Sequence, residues 1–395
     1  MAVSVAGPST PASLPSYSAT TTLCHPVRAA KCISCWLTPF AIERRAALEL
    51  SLPKSLVAGA YKVVADVLAT NTKVTYVAGI SRFTEFCDRH NVEEVARMPA
   101  SPMLLTAFVA EHAGKVSGST IRTWLSGVRA WHIHHGARWE GESEWVKLAR
   151  ITRKKEETAH SRPPRAPVSL EHLQELRKHL NISNSFHAAL WATALVSFFG
   201  CRQLGKMTIT RPSDFNELHH VLASTQVIFN MDPIHGPVSA SFHIPWTKST
   251  KQEGASVVLT AHLDDLDLCP VRALMNHLTI NKDAPTMMSL FAYQNTNSQW
   301  MHMIKDTFLT CVQAVWDKAG LQAVHGHSFR IGGAVALLLQ GVPPETVVAT
   351  GGWTSLAFLL YWRCMEQIIP LHTSRAYAEF SHFNSLRPSF EDFCI

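Results

Sequence analysis

The sequence predicts a mainly α-helical protein carrying one small antiparallel β-sheet, and three observations predict it. From about Leu52 to Leu148 apolar residues recur at three- and four-residue steps, the spacing of one helix face. The stretch Val221–Thr260 breaks that rhythm. Its short runs Val227–Phe229, Ala240–Ile244 and Ala255–Leu259 are β-branched or aromatic and are separated by polar turns, as antiparallel strands are. From Asp267 the helical pattern returns. A chain of 395 residues, 47% of them hydrophobic, is long enough for two domains with their own cores.

Taken in order, residues 1–50 begin rich in Ala, Ser, Thr and Pro without a sustained period. They are expected to be mostly disordered, with a short helix over Ala41–Leu50. Arg is sparse before position 28, which argues against a transit peptide. Four helices follow within residues 51–148. The first spans Val57–Ala69. The second spans Thr72–Arg89, with Tyr76, Ile80, Phe83 and Phe86 along one face. The third starts at Ser101-Pro102, with Pro at the first helical position, and runs through Leu104, Phe108 and Val109. The fourth spans Ser117–His134, with Ser117 or Ser119 as N-cap. Residues 149–167 read as a basic, Pro-containing linker, and the region from residue 168 to 395 as a second domain. That domain opens at Ser169, an N-cap with Glu171 near the helix start. Ala188–Phe199 is apolar for about three turns and stops at Gly200, so it reads as a buried helix and is too short to span a membrane. After the strands, helices are expected from Cys269-Pro270-Val271 and over Asp306–Ala319.

Lys and Arg total 36 against 30 Asp and Glu, a net charge of +6 with His neutral, which permits a polyanionic partner without requiring one. The linker concentrates that charge: Arg150, Arg153, Lys154, Lys155, Arg162 and Arg165 face only Glu156 and Glu157. Nine irregularly spaced cysteines fit a reducing compartment with free thiols. Cys32-x-x-Cys35 has no second pair at finger spacing, so no metal site is expected there. His132, His134 and His135 cluster late in a helix, where cations suit the helix dipole.

One constellation carries chemistry. His327-Ser328-Phe329-Arg330 is followed by Gly351-Gly352-Trp353-Thr354-Ser355 and then by Tyr361-Trp362-Arg363. A His and an Arg three residues apart share one face of a helix start. Arg holds a non-bridging phosphate oxygen through a charge-assisted fork. His and the Trp indole N–H add donors, and Tyr supplies a nucleophilic oxygen. These four residue types together fit covalent attack on a phosphodiester. Gly332-Gly333-Ala334 lets a helix pack closely while Arg330 faces outward. Trp353 and Tyr361 also suit a packed core.

In order and spacing these words resemble the C-terminal motif of the tyrosine recombinases, the phage-integrase family. The resemblance is specific over about residues 320–365 and runs in consistent order back to about residue 55. The stretch from His327 to Arg363 is most similar to recombinases of fungal Crypton- and DIRS-type mobile elements. The resemblance implies a helical core-binding domain (residues 51–148) before an α+β catalytic domain (residues 168–395). It implies Tyr361 as nucleophile, with Tyr377 as the other tyrosine to test. It implies Arg330, His327 and Trp353 around the scissile phosphate. A hairpin lysine would act as general acid, with Lys248 best matching its place and Lys251 close by. The first arginine departs from the family pattern, Arg-Leu-Gly-Glu. Aligned on Leu204-Gly205, the arginine position holds Gln203 and the acidic position holds Lys206. Arg202 comes one residue early, about 100° away around a continuous helix. Arg202 and Gln203 are therefore both candidates.

The resemblance further implies double-stranded DNA as partner, a homotetramer on DNA, no cofactor or metal, no membrane, and a nuclear location. Arg122 and Arg129, seven apart on the fourth helix, would lie on DNA phosphates together with Arg153, Lys154 and Lys155 of the linker. Two other readings remain: a DNA-binding protein of the same fold that does not cleave, and a helical interaction protein that binds no nucleic acid.

Overall fold

The computed structural model describes residues 32–156 and 165–353, with residues 366, 368–374 and 377 beyond them; for residues 32, 70 and 152–156 the description is of backbone alone. The chain divides into two compact units, residues 1–163 and 164–395. It is mainly helical with a small antiparallel sheet, and no helix among the described residues is long and apolar enough to cross a membrane.

Unit 1 consists of α1 (Cys32–Cys35), α2 (Pro39–Ser51), α3 (Lys54–Asp66), α4 (Thr70–Arg89), α5 (Glu94–Arg97), α6 (Pro102–Glu111), α7 (Gly118–His134) and α8 (Glu144–Glu156). Short polar residues start three of them. Thr38 accepts from the Ala41 N–H (3.3 Å), Ser101 from the Leu104 N–H (3.2 Å) and Ser117 from the Thr120 N–H (3.2 Å). Phe83, Phe86, Leu105, Phe108, Val128 and Trp131 form the centre of the core. α4 and α7 cross at two glycines. A Cβ on Gly79 would lie 2.3 Å from the Trp124 carbonyl oxygen, and one on Gly127 would lie 2.2 Å from that of Tyr76.

Three expectations need correction here. The short helix expected over Ala41–Leu50 is present within α2, but residues 32–38 before it are not disordered: α1 is folded, and Ile33 and Thr38 are buried. The Trp131 indole N–H donates to the Trp36 carbonyl (2.9 Å), and His135 bonds the Ile33 carbonyl (3.1 Å). These contacts span 95 and 102 residues, so no local periodicity announces them. The linker starts as helix, since α8 runs to Glu156. The third correction concerns the histidines of α7. They are buried, and burial pushes His132 and His135 down to about 4 and also lowers His134. They are neutral core groups rather than surface cations.

His132 shows the consequence. Its Nε2 accepts from the Ala100 N–H (3.0 Å), so its Nδ1–H donates to the Val128 carbonyl (2.8 Å). A proton on Nε2 would have to displace the Ala100 N–H. The folded state thus resists a proton that the unfolded chain takes up near pH 6.5, so stability is full above pH 6.5 and falls as pH drops toward 4. The urea midpoint of the chain should decline across that window, and His132→Gln, which offers an acceptor without titrating, should shallow the decline. A midpoint independent of pH across it would show that burial does not control this imidazole.

Unit 2 opens with α9 (Leu170–Lys178) and α10 (Ser185–Phe199), then α11 (Leu204–Met207). Ser169 caps α9, and its capping box is completed by His172. α10 is apolar on every face because sheet and helices surround it. Strands β1 (Ile228–Asp232), β2 (Gly236–Ile244) and β3 (Ala255–Thr260) pair antiparallel in the order β1-β2-β3. Register sets Ala240 opposite Leu259 and Phe242 opposite Val257, and these four side chains are buried while Val258 between them is exposed. Then come α12 (Pro270–Ile280), the small hairpin β4 (Tyr293–Gln294) and β5 (Trp300–Met301), α13 (Lys305–Lys318), α14 (Ser328–Leu339) and α15 (Pro344–Gly351). α14 lies on α10 because Gly332 and Gly333 have no side chains. A Cβ there would meet the Val168 oxygen at 2.0 Å and the Phe198 oxygen at 1.8 Å.

Candidate functional site

The site begins where α10 ends. The Cys201 N–H bonds the Phe198 carbonyl (2.9 Å) and the Arg202 N–H bonds the Ser197 carbonyl (2.9 Å), with Cys201 at φ 48°. This pair of bonds is a Schellman termination, built here on a cysteine in the left-handed region that glycine usually fills. The chain therefore leaves the helix axis before Arg202. The 100° offset expected for Arg202 presumed an unbroken helix, and the helix is broken.

Arg202 turns inward and is 6% exposed, whereas Gln203 is exposed. The Arg202 Nη2 donates to the Ser256 carbonyl at the start of β3 (2.7 Å), and its Nη1 reaches the Gly351 carbonyl (3.5 Å). Arg330, in the first turn of α14, donates from Nη1 to that same Gly351 carbonyl (3.1 Å) and to the Cys201 carbonyl (3.1 Å). Arg330 was expected to face outward; it is 9% exposed. The close seating of α14 on α10 draws its first turn beneath the Cys201 corner.

Two buried guanidinium groups thus meet at one carbonyl oxygen. Burial first, then Arg330, lower the Arg202 pKa to about 10, and no carboxylate acts on it among the described residues. Its Nε has no hydrogen-bond partner among those residues. A buried cation beside another cation, with donors to spare, is arranged to receive an anion.

The words Gly351-Gly352-Trp353 build the other wall. Gly352 ends α15 at φ 66°, ψ 43°. A Cβ on it would lie 3.1 Å from Arg202 Nη1, so glycine here serves both the backbone turn and the arginine. The Trp353 ring folds back over Gly351, where a Cβ would meet it at 1.8 Å. Its centroid is 3.8 Å from the Arg330 guanidinium carbon, a cation–π stack that fixes the plane of the fork. His327 precedes Arg330 by one turn. Burial, then Arg330 and Arg165, hold its pKa below the usual imidazole value, so the neutral ring prevails at pH 7.

The lysines sit on the β2–β3 hairpin. Its turn is closed by a reciprocal backbone pair between Thr247 and Lys251, 3.1 and 3.0 Å. Lys248 and Lys251 are both exposed, Lys251 at φ 53°. Two contributors were not legible in the sequence: the Gly351 carbonyl as shared acceptor, and Lys206, whose ammonium donates to the Trp246 carbonyl (2.8 Å). Among the described residues no group of three or more His, Cys, Asp or Glu side chains is arranged to hold a metal ion. Arg122 and Arg129 are exposed on α7. Arg153, Lys154 and Lys155 lie on the last turns of α8, and Tyr377 is 68% exposed. Tyr361 lies outside the described residues.

No family model matches this sequence, and no curated protein matches it. Solved structures do. A XerH site-specific recombinase bound to palindromic difH substrate, a post-cleavage complex, is 14% identical over 91% of this chain and 92% of that one, with a TM-score of 0.49. A lambda integrase dimer bound to a COC′ core site is 12% identical over 78% and 94%, with a TM-score of 0.47. A Tn1549 transposon integrase in complex with circular intermediate DNA is 12% identical over 88% and 100%, with a TM-score of 0.47.

Proposed function

We propose that this chain breaks and rejoins DNA as a tyrosine recombinase, through a 3′-phosphotyrosine intermediate. The observation that carries the reading is the pair Arg202 and Arg330 meeting at the Gly351 carbonyl, a buried dication suited to one phosphate. In the proposed reaction the Tyr361 oxygen attacks phosphorus. The bond to the 5′ oxygen breaks, and Lys248 gives that oxygen a proton. Neutral His327 is suited to accept the phenol proton. One phosphate ester replaces another, so the step conserves bond energy and draws on no nucleotide. The two arginines bind the developing charge, and Trp353 keeps Arg330 in plane. We further assign the chain to a mobile element of the Crypton or DIRS type, or to a descendant of one. It would work in the nucleus as a tetramer on duplex DNA.

The test uses a pool of nicked duplexes with a randomised core, in which cleavage releases a short fragment and traps the protein on DNA. A denaturing gel then shows the adduct, and sequencing of the trapped DNA reports the site. Salt-dependent DNA binding with no adduct from any duplex would leave a binding protein of the same fold. No binding at all would leave a helical interaction protein.

The basic segment supplies a separate prediction. Replacing Arg153, Lys154 and Lys155 by Ala should weaken binding to all duplexes alike. It should also flatten the plot of log K against log salt by about 0.9 for each phosphate that is no longer neutralised. An unchanged slope would make the segment a spacer.

A further inference from the structure

The segment that follows α10 is tied to the β2–β3 hairpin at two points. Arg202 holds the base of β3 through the Ser256 carbonyl (2.7 Å). Four residues on, Lys206 holds the turn itself. Its ammonium donates to the Trp246 carbonyl (2.8 Å) and lies 4.6 Å from the centroid of the same residue's indole. Lys251 approaches that ring from the far limb of the turn at 5.7 Å, and the His219 ring packs on it at 5.1 Å. Trp246 is thus gripped by a residue of α11, a residue of its own turn and an imidazole. Lys206 is half-buried, and no carboxylate pairs with it among the described residues. Burial, then the nearby Lys248, act against its charge. The carbonyl and the indole face offset that cost, which is why an ammonium rather than an acid suits this position.

We propose that Lys206 is the positioning residue of the lysine-bearing hairpin, anchoring Trp246 to the segment that carries Arg202, so that the turn bearing Lys248 is held in one place before DNA arrives. The role given to Lys248 rests on the recombinase reading; the anchor itself does not. Because Lys206 acts through the hairpin, its loss impairs proton delivery to the leaving oxygen and spares the charge at the phosphate.

Two measurements on the full chain test this. The first needs no DNA: hydrogen exchange of the peptide spanning residues 245–254. Without one charge-assisted hydrogen bond and one cation–π stack, local opening should rise about tenfold in Lys206→Met, and Lys206→Arg should restore most of the protection. Unchanged exchange in Lys206→Met overturns the anchor, whatever the protein does to DNA.

The second uses the duplex selected from the nicked pool, prepared with oxygen or with sulfur at the leaving position. A thiol ionises near a pH of about 8.5, against about 15.7 for water, so a sulfur leaving group departs without a proton. Lys206→Met should slow adduct formation on the oxygen duplex at least about tenfold, well within what general acid–base catalysis contributes, with DNA affinity retained. On the sulfur duplex it should match the parent, and Lys206→Arg should recover the oxygen rate. Equal losses on both duplexes, or no loss where Lys248→Ala shows one, would mean that Lys206 does not act through the hairpin lysine. A parent protein that traps neither duplex refutes the recombinase reading, and hydrogen exchange then decides the anchor alone.

Discussion

On the recombinase reading, Arg202→Ala should lower the rate of adduct formation about a hundredfold, and Gln203→Arg should leave it nearly unchanged. The sequence resemblance leaves the opposite result open, because registering the chain on Leu204-Gly205 sets Gln203 at the position where an arginine is called for. The geometry decides against it. The Schellman termination at Cys201 takes the chain off the helix, and Arg202 comes to rest with its Nη1 on the Gly351 carbonyl that Arg330 also holds. Gln203 is left in solvent. Removing Arg202 deletes one of two charges that would face the phosphate, and a transition-state donor of that kind is worth about a hundredfold or more. Arg202→Lys is the informative companion. It keeps a charge but loses the planar fork that reaches Ser256 and Gly351 together, so only part of the rate should return. Introducing the acid that the resemblance suggests, Lys206→Glu, should harm rather than help, since a carboxylate repels the Trp246 carbonyl that Lys206 now holds. The measurement is adduct per unit time on one trapped duplex. A rise with Gln203→Arg, or no change with Arg202→Ala, removes Arg202 from the phosphate.

Tyr361→Phe should abolish the adduct and leave DNA affinity within about twofold, since it removes one hydroxyl and keeps the ring. The assignment rests on sequence: Tyr361 is the tyrosine that follows Gly351-Gly352-Trp353 after one short interval. The structure adds what precedes it. Gly351 and Trp353 bracket the two guanidinium groups, so the chain departs for Tyr361 from the edge of the proposed phosphate site. Tyr377 is 68% exposed, and Tyr377→Phe should cleave like the parent. An adduct that survives Tyr361→Phe and vanishes in Tyr377→Phe would reassign the nucleophile.

The sequence by itself determined what periodicity, caps and punctuation can carry. Helices α4, α6, α7 and α10 and strands β1–β3 follow from three- and four-residue apolar steps, from Ser101 and Ser117 as caps, and from β-branched runs between polar turns. The residue types at His327, Arg330, Trp353 and Tyr361 pointed to phosphate chemistry, because their order and spacing are local features of the chain. Only the tertiary structure decided the rest, and in each case the reason is that the partner is remote. Residues 32–38 fold because Trp36 and Ile33 bond α7 residues about a hundred positions away. The α7 histidines are neutral because burial, which composition does not report, outweighs the helix dipole. Arg202 rather than Gln203 joins Arg330 because a left-handed cysteine ends α10 one residue before it, and a backbone dihedral is not written in the spacing of a motif. Lys206 looked like the loss of an acid. Its carbonyl and indole partners, 40 residues further along the chain, give it a different task.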